Sequence, residues 1–172
     1  MIETEIGPQE KLPPPDVYGI LNLVDHAEAS KAIIVAGIVE DWLQTMLLGA
    51  GRRTLSNSQL SEFFEGYGPL SSFSAKIDIG YFFKLIDDAA YRDLKAIKNI
   101  RNSFAHTKEV ATFKTDGIKQ KGHALTNWTK NCDLRQLYYD RAQACLDQMR
   151  GVIEHQILVA ALANMTHDVH PK

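Results

Sequence analysis

Apolar residues recur at intervals of three and four positions through most of this chain, and that spacing constrains the fold more than any other feature. It is the spacing of helices that bury one face against a core. No segment shows a convincing alternation of apolar and polar residues of the kind that strands produce. The sequence therefore predicts an all-α fold, a helical bundle of four to five main helices.

Capping residues and glycines mark the ends of the predicted helices. In chain order we predict a long helical stretch over about 17–48 after an Asp16 cap, a short helix after Ser56 or Asn57, a helix from Ser71 or Ser72 to about Ile86, a helix from Asp87 or Asp88 to about His106, and a last one from Asp133 through Leu162. The third is so apolar, with Ile79, Phe82 and Phe83, that we expect it to be central. Residues 107–131 are mixed, and "KTDGIKQKG" within them indicates a basic loop.

The domain organisation predicted from these segments is simple. Three consecutive prolines in 1–15 exclude a helix there, so we expect a flexible N-terminal tail. Residues 16–165 then form a single helical-bundle domain, and 166–172 form a C-terminal tail.

Composition favours a soluble protein of a reducing compartment. The net charge is −2 and 45% of residues are apolar. The longest apolar run, Ala32 to Val39, is too short to span a bilayer, and no signal pattern opens the chain. Cys132 and Cys145 match no metal or redox motif, and Cys145 is expected to be a buried free thiol. We therefore predict a cytoplasmic protein without membrane contact.

Charge is unevenly distributed. Residues 92–121 hold 8 Lys and Arg against 3 Asp and Glu, a local balance of +5 within a chain of −2. Such a segment is typical of a face that binds polyanions, or of a solvated helix followed by a loop. Both interpretations stay open.

The stretch "AIKNIRNSFAHT", Ala96 to Thr107, contains an arginine where an apolar residue is expected. At 100° per residue, Arg101 falls inside the arc formed by Leu94, Ile97, Ile100 and Phe104. A guanidinium stays charged, so an inward arginine needs a carboxylate partner or a wet cleft. Asp78 and Glu40 are candidate partners, because both lie on strongly apolar predicted helices.

A polar flank adjoins this arc. Lys95, Lys98, Asn102 and His106 lie on it, and Asn102 is one helical turn from His106. His106 has two open interpretations: a C-terminal residue that caps carbonyls, or a group that transfers protons near neutral pH.

"RNSFAH" resembles the Arg-x(4–6)-His motif of HEPN domains. The longer stretch from Phe63 to His106, "FFEGYGPLSSFSAKIDIGYFFKLIDDAAYRDLKAIKNIRNSFAH", resembles the mannitol operon repressor family. The first resemblance implies a dimeric helical bundle, in many members a metal-independent ribonuclease of toxin or defence systems. The second implies a transcriptional regulator.

Two functions follow from these resemblances. The first is a regulatory protein that acts as a dimeric helical interaction module, with a protein partner or RNA. The second is a metal-independent endoribonuclease with a composite site at a dimer interface, where Arg101, Asn102 and His106 are the candidate catalytic residues and Lys95 and Lys98 hold flanking phosphates. A twofold axis would supply two histidines and two arginines around one phosphate.

Other kinds of site have little support in the sequence. There is no helix-turn-helix signature with a basic recognition helix, no glycine-rich phosphate loop and no nucleophile elbow. "HDVH", His167 to His170, has the spacing of metal ligands but no further ligands nearby. We predict no cofactor and no metal.

Overall fold

The computed structural model describes residues 28–51, 53–107 and 111–167, with side chains as far as 163. This part of the chain contains six helices and no strand, so the predicted all-α bundle is confirmed. The helices are α1 (Glu28–Ala50), α2 (Asn57–Phe64), α3 (Phe73–Phe82), α4 (Asp88–His106), α5 (Asp116–Gly122) and α6 (Leu134–His167). The predicted tail at 1–15, the Asp16 cap and residues 168–170 of "HDVH" lie outside the described residues.

Helix α1 is the centre of the bundle. It packs against α3, α4 and α6, because its apolar residues follow helical spacing along one face. The buried residues of α1 are Ala32, Val35, Ala36, Val39, Leu43, Met46 and Leu47. By length and composition alone α1 is long and apolar enough to cross a membrane. The core of the bundle accounts for this composition, since α1 supplies buried residues to it throughout its length.

Helix α2 begins as the sequence predicts. Ser56 accepts from the backbone N–H of Gln59, and the Gln59 side chain accepts from the backbone N–H of Ser56. This reciprocal capping box satisfies two donors that the helix cannot satisfy internally.

Helix α3 is capped by Ser72 but ends at Phe82, and the prediction that it continues to Ile86 is wrong. Lys84 has φ of 56°, its N–H donates to the carbonyl of Tyr81, and that of Leu85 donates to the carbonyl of Gly80. This pair of bonds is a Schellman ending, which reverses the chain in one residue. The expectation of a fully central helix is also wrong, because Phe82 is 75% exposed.

Helix α4 matches the prediction at both ends. Asp87 accepts from the N–H of Ala90 at its start, and His106 is its last residue. It packs on α1, α3, α5 and α6, so its exposed edge is narrow.

The predicted basic loop is partly a helix. Residues 116–122 form α5, which packs on α4 and α6 through the buried Ile118. The sequence prediction missed it because two glycines and a single large apolar residue in seven positions give little helical periodicity.

Helix α6 begins after Asp133, which accepts from the N–H groups of Arg135 and Gln136 as predicted. Cys145 lies on its buried face as a free thiol, which confirms the prediction. Burial raises the pKa of this thiol far above its usual range. The Gln156 side chain donates to the carbonyl of Met46, near the end of α1. Residues of α6 beyond Gln156 therefore extend past α1.

Candidate functional site

Arg101 is held inside the chain by a carboxylate of another helix. Its Nη2 lies 3.3 Å from Oε2 of Glu40 on α1. The Arg101 side chain is 34% exposed and that of Glu40 is 15% exposed. The register that places Arg101 on the inner face of α4 is thus correct, and Glu40 rather than Asp78 is its partner.

A second cation shares this carboxylate. Nζ of Lys76 on α3 lies 2.9 Å from Oε1 of Glu40, and the Lys76 side chain is only 6% exposed. We call Glu40, Lys76 and Arg101 the ionic cluster; it ties α1, α3 and α4 together. It carries two positive charges against one negative charge, and its most exposed member is Arg101.

Asn102 contacts the ionic cluster, and His106 lies one helical turn beyond Asn102 at the end of α4. Asn102 Oδ1 accepts from Nη1 of Arg101 at 3.1 Å. His106 is exposed, and its side chain forms no hydrogen bond or ion pair with a residue of the described ranges. The capping role open to His106 belongs instead to Thr107, whose hydroxyl donates to the carbonyl of Ser103 at 2.6 Å.

Lys95 is engaged within the chain. Its Nζ lies 2.6 Å from Oδ1 of Asp78 and donates to Oγ of Ser74 at 3.0 Å. Tyr91 also donates to Asp78, and the Lys95 ammonium lies 5.4 Å from the centre of the Tyr91 ring. The hydrogen bond from Lys95 is the main reason that the pKa of Asp78 is lowered, and the charge of Lys98 contributes to it. To bind a phosphate, Lys95 would have to leave Asp78.

The sequence analysis missed a buried acid on the same helix. Asp93 is fully buried, and it accepts from Nε of Arg141 on α6 and from the N–H of Thr126, both within 2.8 Å. It therefore fixes the loop after α5 to the bundle. The helical register that places Arg101 on the apolar arc also predicts that Asp93 faces inward, because Asp93 lies one turn before Ile97.

An aromatic pair beside α5 was also missed. The rings of His123 and Trp128 lie 4.0 Å apart, centre to centre. No sequence signal indicated this pair, because residues 107–131 show mixed character and the rings are brought together only by the turn after α5.

A groove of about 950 Å³ lies where α3 turns into α4, and Gln148 and Val152 of α6 form its opposite wall. Phe82 lines it, and Phe83 beside it is 62% exposed. Three carboxylates line this groove against one lysine: Asp78, Asp87, Asp88 and Lys84. Among the described residues no group of three or more His, Cys, Asp or Glu side chains is placed to hold a metal ion.

Comparison with known proteins gives little beyond the fold. No protein-family profile and no curated protein matches the chain. A similar solved structure is the X-ray structure of the MtlR–HPr complex from Escherichia coli, at 16% identity. The match covers 81% of this chain and 95% of that chain, with a TM-score of 0.48.

Proposed function

We propose that the chain is a non-catalytic regulatory protein, as its resemblance to the mannitol operon repressor family implies, and that it acts as a homodimer that binds a second protein. The observation that carries this proposal is the ion pair between Arg101 and Glu40. It gives the motif arginine a structural task within one chain, which a catalytic arginine in an open site would not have.

Breaking the ion pair between Arg101 and Glu40 would disturb the contact among three helices, α1, α3 and α4. Glu40 lies between Lys76 and Arg101, and most of its side chain is buried. A buried carboxylate that loses a cation loses part of the compensation for its desolvation. An arginine that must turn to a substrate phosphate would therefore weaken the packing of α1 against α4.

The end of α6 supports self-association. Ile157 to Ala163 are seven consecutive apolar residues, and all seven are exposed in the described part of the chain. A helix that is apolar on every side requires neighbours on more than one side. No charged residue occurs from Gln156 to Thr166, so two copies of this segment can meet without repulsion. We call Ile157–Ala163 the α6 tip and propose it as the dimer contact.

The groove between the α3–α4 turn and α6 supports a second protein contact. Phe82 and Phe83 are exposed beside it, and exposed aromatic residues next to a groove are typical of protein interfaces. Its carboxylates favour a partner segment with an apolar residue flanked by basic ones.

A metal-independent ribonuclease is the second candidate, and a specific observation favours it. His106 is exposed and not used as a cap, and Arg101, five residues before it on α4, is one-third exposed in a cluster with a surplus positive charge. In a dimer, two such pairs could still surround one phosphate.

RNA cleavage separates the two candidates. Purified protein is incubated with a mixed-sequence RNA in EDTA, alongside His106→Ala and the matched control His155→Ala, an exposed histidine on α6. The regulatory proposal predicts intact RNA in all three reactions. Cleavage by the unmodified protein and by His155→Ala, but not by His106→Ala, would contradict it and establish the ribonuclease.

Light scattering tests the dimer. We expect twice the chain mass of 19.3 kDa for the unmodified protein and for His155→Lys, which adds a lysine just before the α6 tip. Leu158→Lys combined with Leu162→Lys should give a monomer, because it places two charges in the contact. A monomeric unmodified protein would contradict the proposal.

HPr, named in the Escherichia coli structure, is a practical first ligand for a binding titration of the dimer.

A further inference from the structure

Two grooves lie side by side on the face formed by α4, α5 and the loop after α5. The first has a volume of about 500 Å³ and extends along Arg92 and Lys95; the second, of about 420 Å³, extends along Lys119 and Lys130. His123 and Trp128 line both, so these two rings, in contact at an interplanar angle of 44°, form the ridge between the grooves. Volumes of this size are typical of sites for small molecules or single nucleotides.

The described residues that line the two grooves carry one sign of charge. Arg92, Lys95, Lys119 and Lys130 line them, and no carboxylate from this part of the chain does. Lys95 is paired with Asp78, whereas the other three form no ion pair with a residue of the described ranges. Three cations are therefore available to an anionic ligand on either side of an aromatic ridge.

Hydrogen bonds and core packing position the loop that carries the ridge. Asp93 accepts from the N–H of Thr126, and the N–H of Trp128 donates to the carbonyl of Leu125 at 3.1 Å. Trp128 also packs against the core, so its ring is fixed before any ligand arrives. A fixed aromatic ring between basic grooves is the arrangement that binds single-stranded nucleic acids, in which bases stack and phosphates follow the cations.

We infer that the grooves on either side of the His123–Trp128 ridge bind a single-stranded nucleic acid, with a base stacked at the ridge and phosphates at Arg92, Lys119 and Lys130. This site is separate from the ionic cluster and from His106. It adds a ligand to the regulatory role and does not depend on cleavage or on the dimer contact.

Fluorescence anisotropy with a labelled 12-nucleotide strand tests this inference, using RNA and DNA of the same sequence. We expect a dissociation constant in the range of about 1 to 100 μM at physiological salt. Three phosphate contacts predict that the logarithm of the affinity falls with that of the salt concentration with a slope of about −2. Binding of either strand supports the site, and the preferred strand identifies the ligand.

Variants distinguish the grooves from the general charge of the segment. Lys119→Gln combined with Lys130→Gln should weaken binding at least tenfold and bring the slope to about −0.7. Lys114→Gln is the matched control, because Lys114 is exposed in the same basic segment but lines neither groove. It should change affinity less than twofold. If Lys114→Gln weakened binding as much as each lysine of the double variant does, the site would be overturned.

The aromatic ridge has its own test. Trp128→Ala should weaken binding at least fivefold with the salt slope unchanged, and Trp128→Phe should restore most of the loss. If Trp128→Ala does not fold, quenching of Trp128 fluorescence by the strand in a Trp42→Phe background replaces it. No binding, binding of polyglutamate as tight as that of the strand, or tenfold tighter binding of duplex would each overturn the inference.

Discussion

Arg101 of α4 and Glu40 of α1 are joined across the bundle although 61 positions separate them in the chain. The contact explains why an arginine occupies the apolar arc of α4. The same carboxylate is the partner of Lys76 on α3, whose side chain is nearly fully buried and needs such a partner there. One carboxylate thus compensates two cations on two neighbouring helices.

Glu40→Gln should reduce the free energy of unfolding by about 3 kcal/mol or more, because it leaves the buried Lys76 ammonium without a counter-charge. Urea unfolding at neutral pH measures this change. Glu154→Gln, at an exposed position on α6, is the control and should stay within about 0.5 kcal/mol of the unmodified protein. Equal stability of both variants would mean that the ionic cluster has no structural role.

Lys76→Met should cost less than Glu40→Gln. The methionine fills a similar volume without a charge, and Glu40 keeps Arg101 as its partner. The order of the two denaturation midpoints tests whether the carboxylate is the centre of the cluster. A larger loss in Lys76→Met would place the centre at the lysine instead.

Asp93→Asn should destabilise the protein by about 3 kcal/mol or more, because it removes the charge that faces Arg141 in a fully buried position. Thermal or urea unfolding measures it. Asp147→Asn, which removes a surface pair with Arg150 on α6, should cost less than about 1 kcal/mol. A loss for Asp93→Asn no greater than for Asp147→Asn would contradict the buried-pair assignment.

Loss of the hydroxyl group should change the free energy of unfolding differently at two adjacent tyrosines, Tyr138 and Tyr139. The Tyr138 hydroxyl donates to the carbonyl of Ala32 at 2.8 Å, whereas that of Tyr139 is buried without a hydrogen-bond partner among the described residues. Tyr138→Phe should therefore cost about 1 kcal/mol, and Tyr139→Phe should be neutral or stabilising. Urea unfolding at pH 7 decides it, and equal losses would contradict the difference in bonding.

The same pair predicts an alkaline response. Burial, with a smaller effect of Glu28, raises the pKa of Tyr139 to about 12. The unfolded tyrosine ionises near pH 10, before the folded one. The ionisation of Tyr139 therefore leaves the free energy of unfolding unchanged below about pH 10 and lowers it as the pH rises toward 12. Tyr139→Phe should reduce the fall in unfolding free energy over that interval. An unchanged fall would mean that Tyr139 does not titrate with unfolding.

Much of the fold could be predicted because local chemistry determines it. Ser56, Ser72, Asp87 and Asp133 cap the helices that the sequence predicts, since each cap acts within three residues of itself. The end of α3 could not be predicted in the same way. Lys84 adopts a conformation usual for glycine, and apolar residues continue beyond it.

The site was predictable only as far as one helix extends. Helical register places Arg101 inward and Asn102 and His106 beside it, but partners on other helices depend on tertiary packing. The sequence named Glu40 and Asp78 as alternatives and could not choose between them. The His123–Trp128 ridge depends on the fold of α5 and its loop, so no periodicity indicated it.

A double-mutant cycle of Glu40→Gln and Arg101→Gln tests most directly whether the motif arginine is a structural residue. Urea unfolding of the unmodified protein, both single variants and the double variant gives the coupling free energy between the two side chains. We predict a favourable coupling of about 1 kcal/mol or more, because Lys76 remains in all four proteins and only the ion pair differs. A coupling below about 0.3 kcal/mol would contradict the account, because Arg101 would then be free for another function.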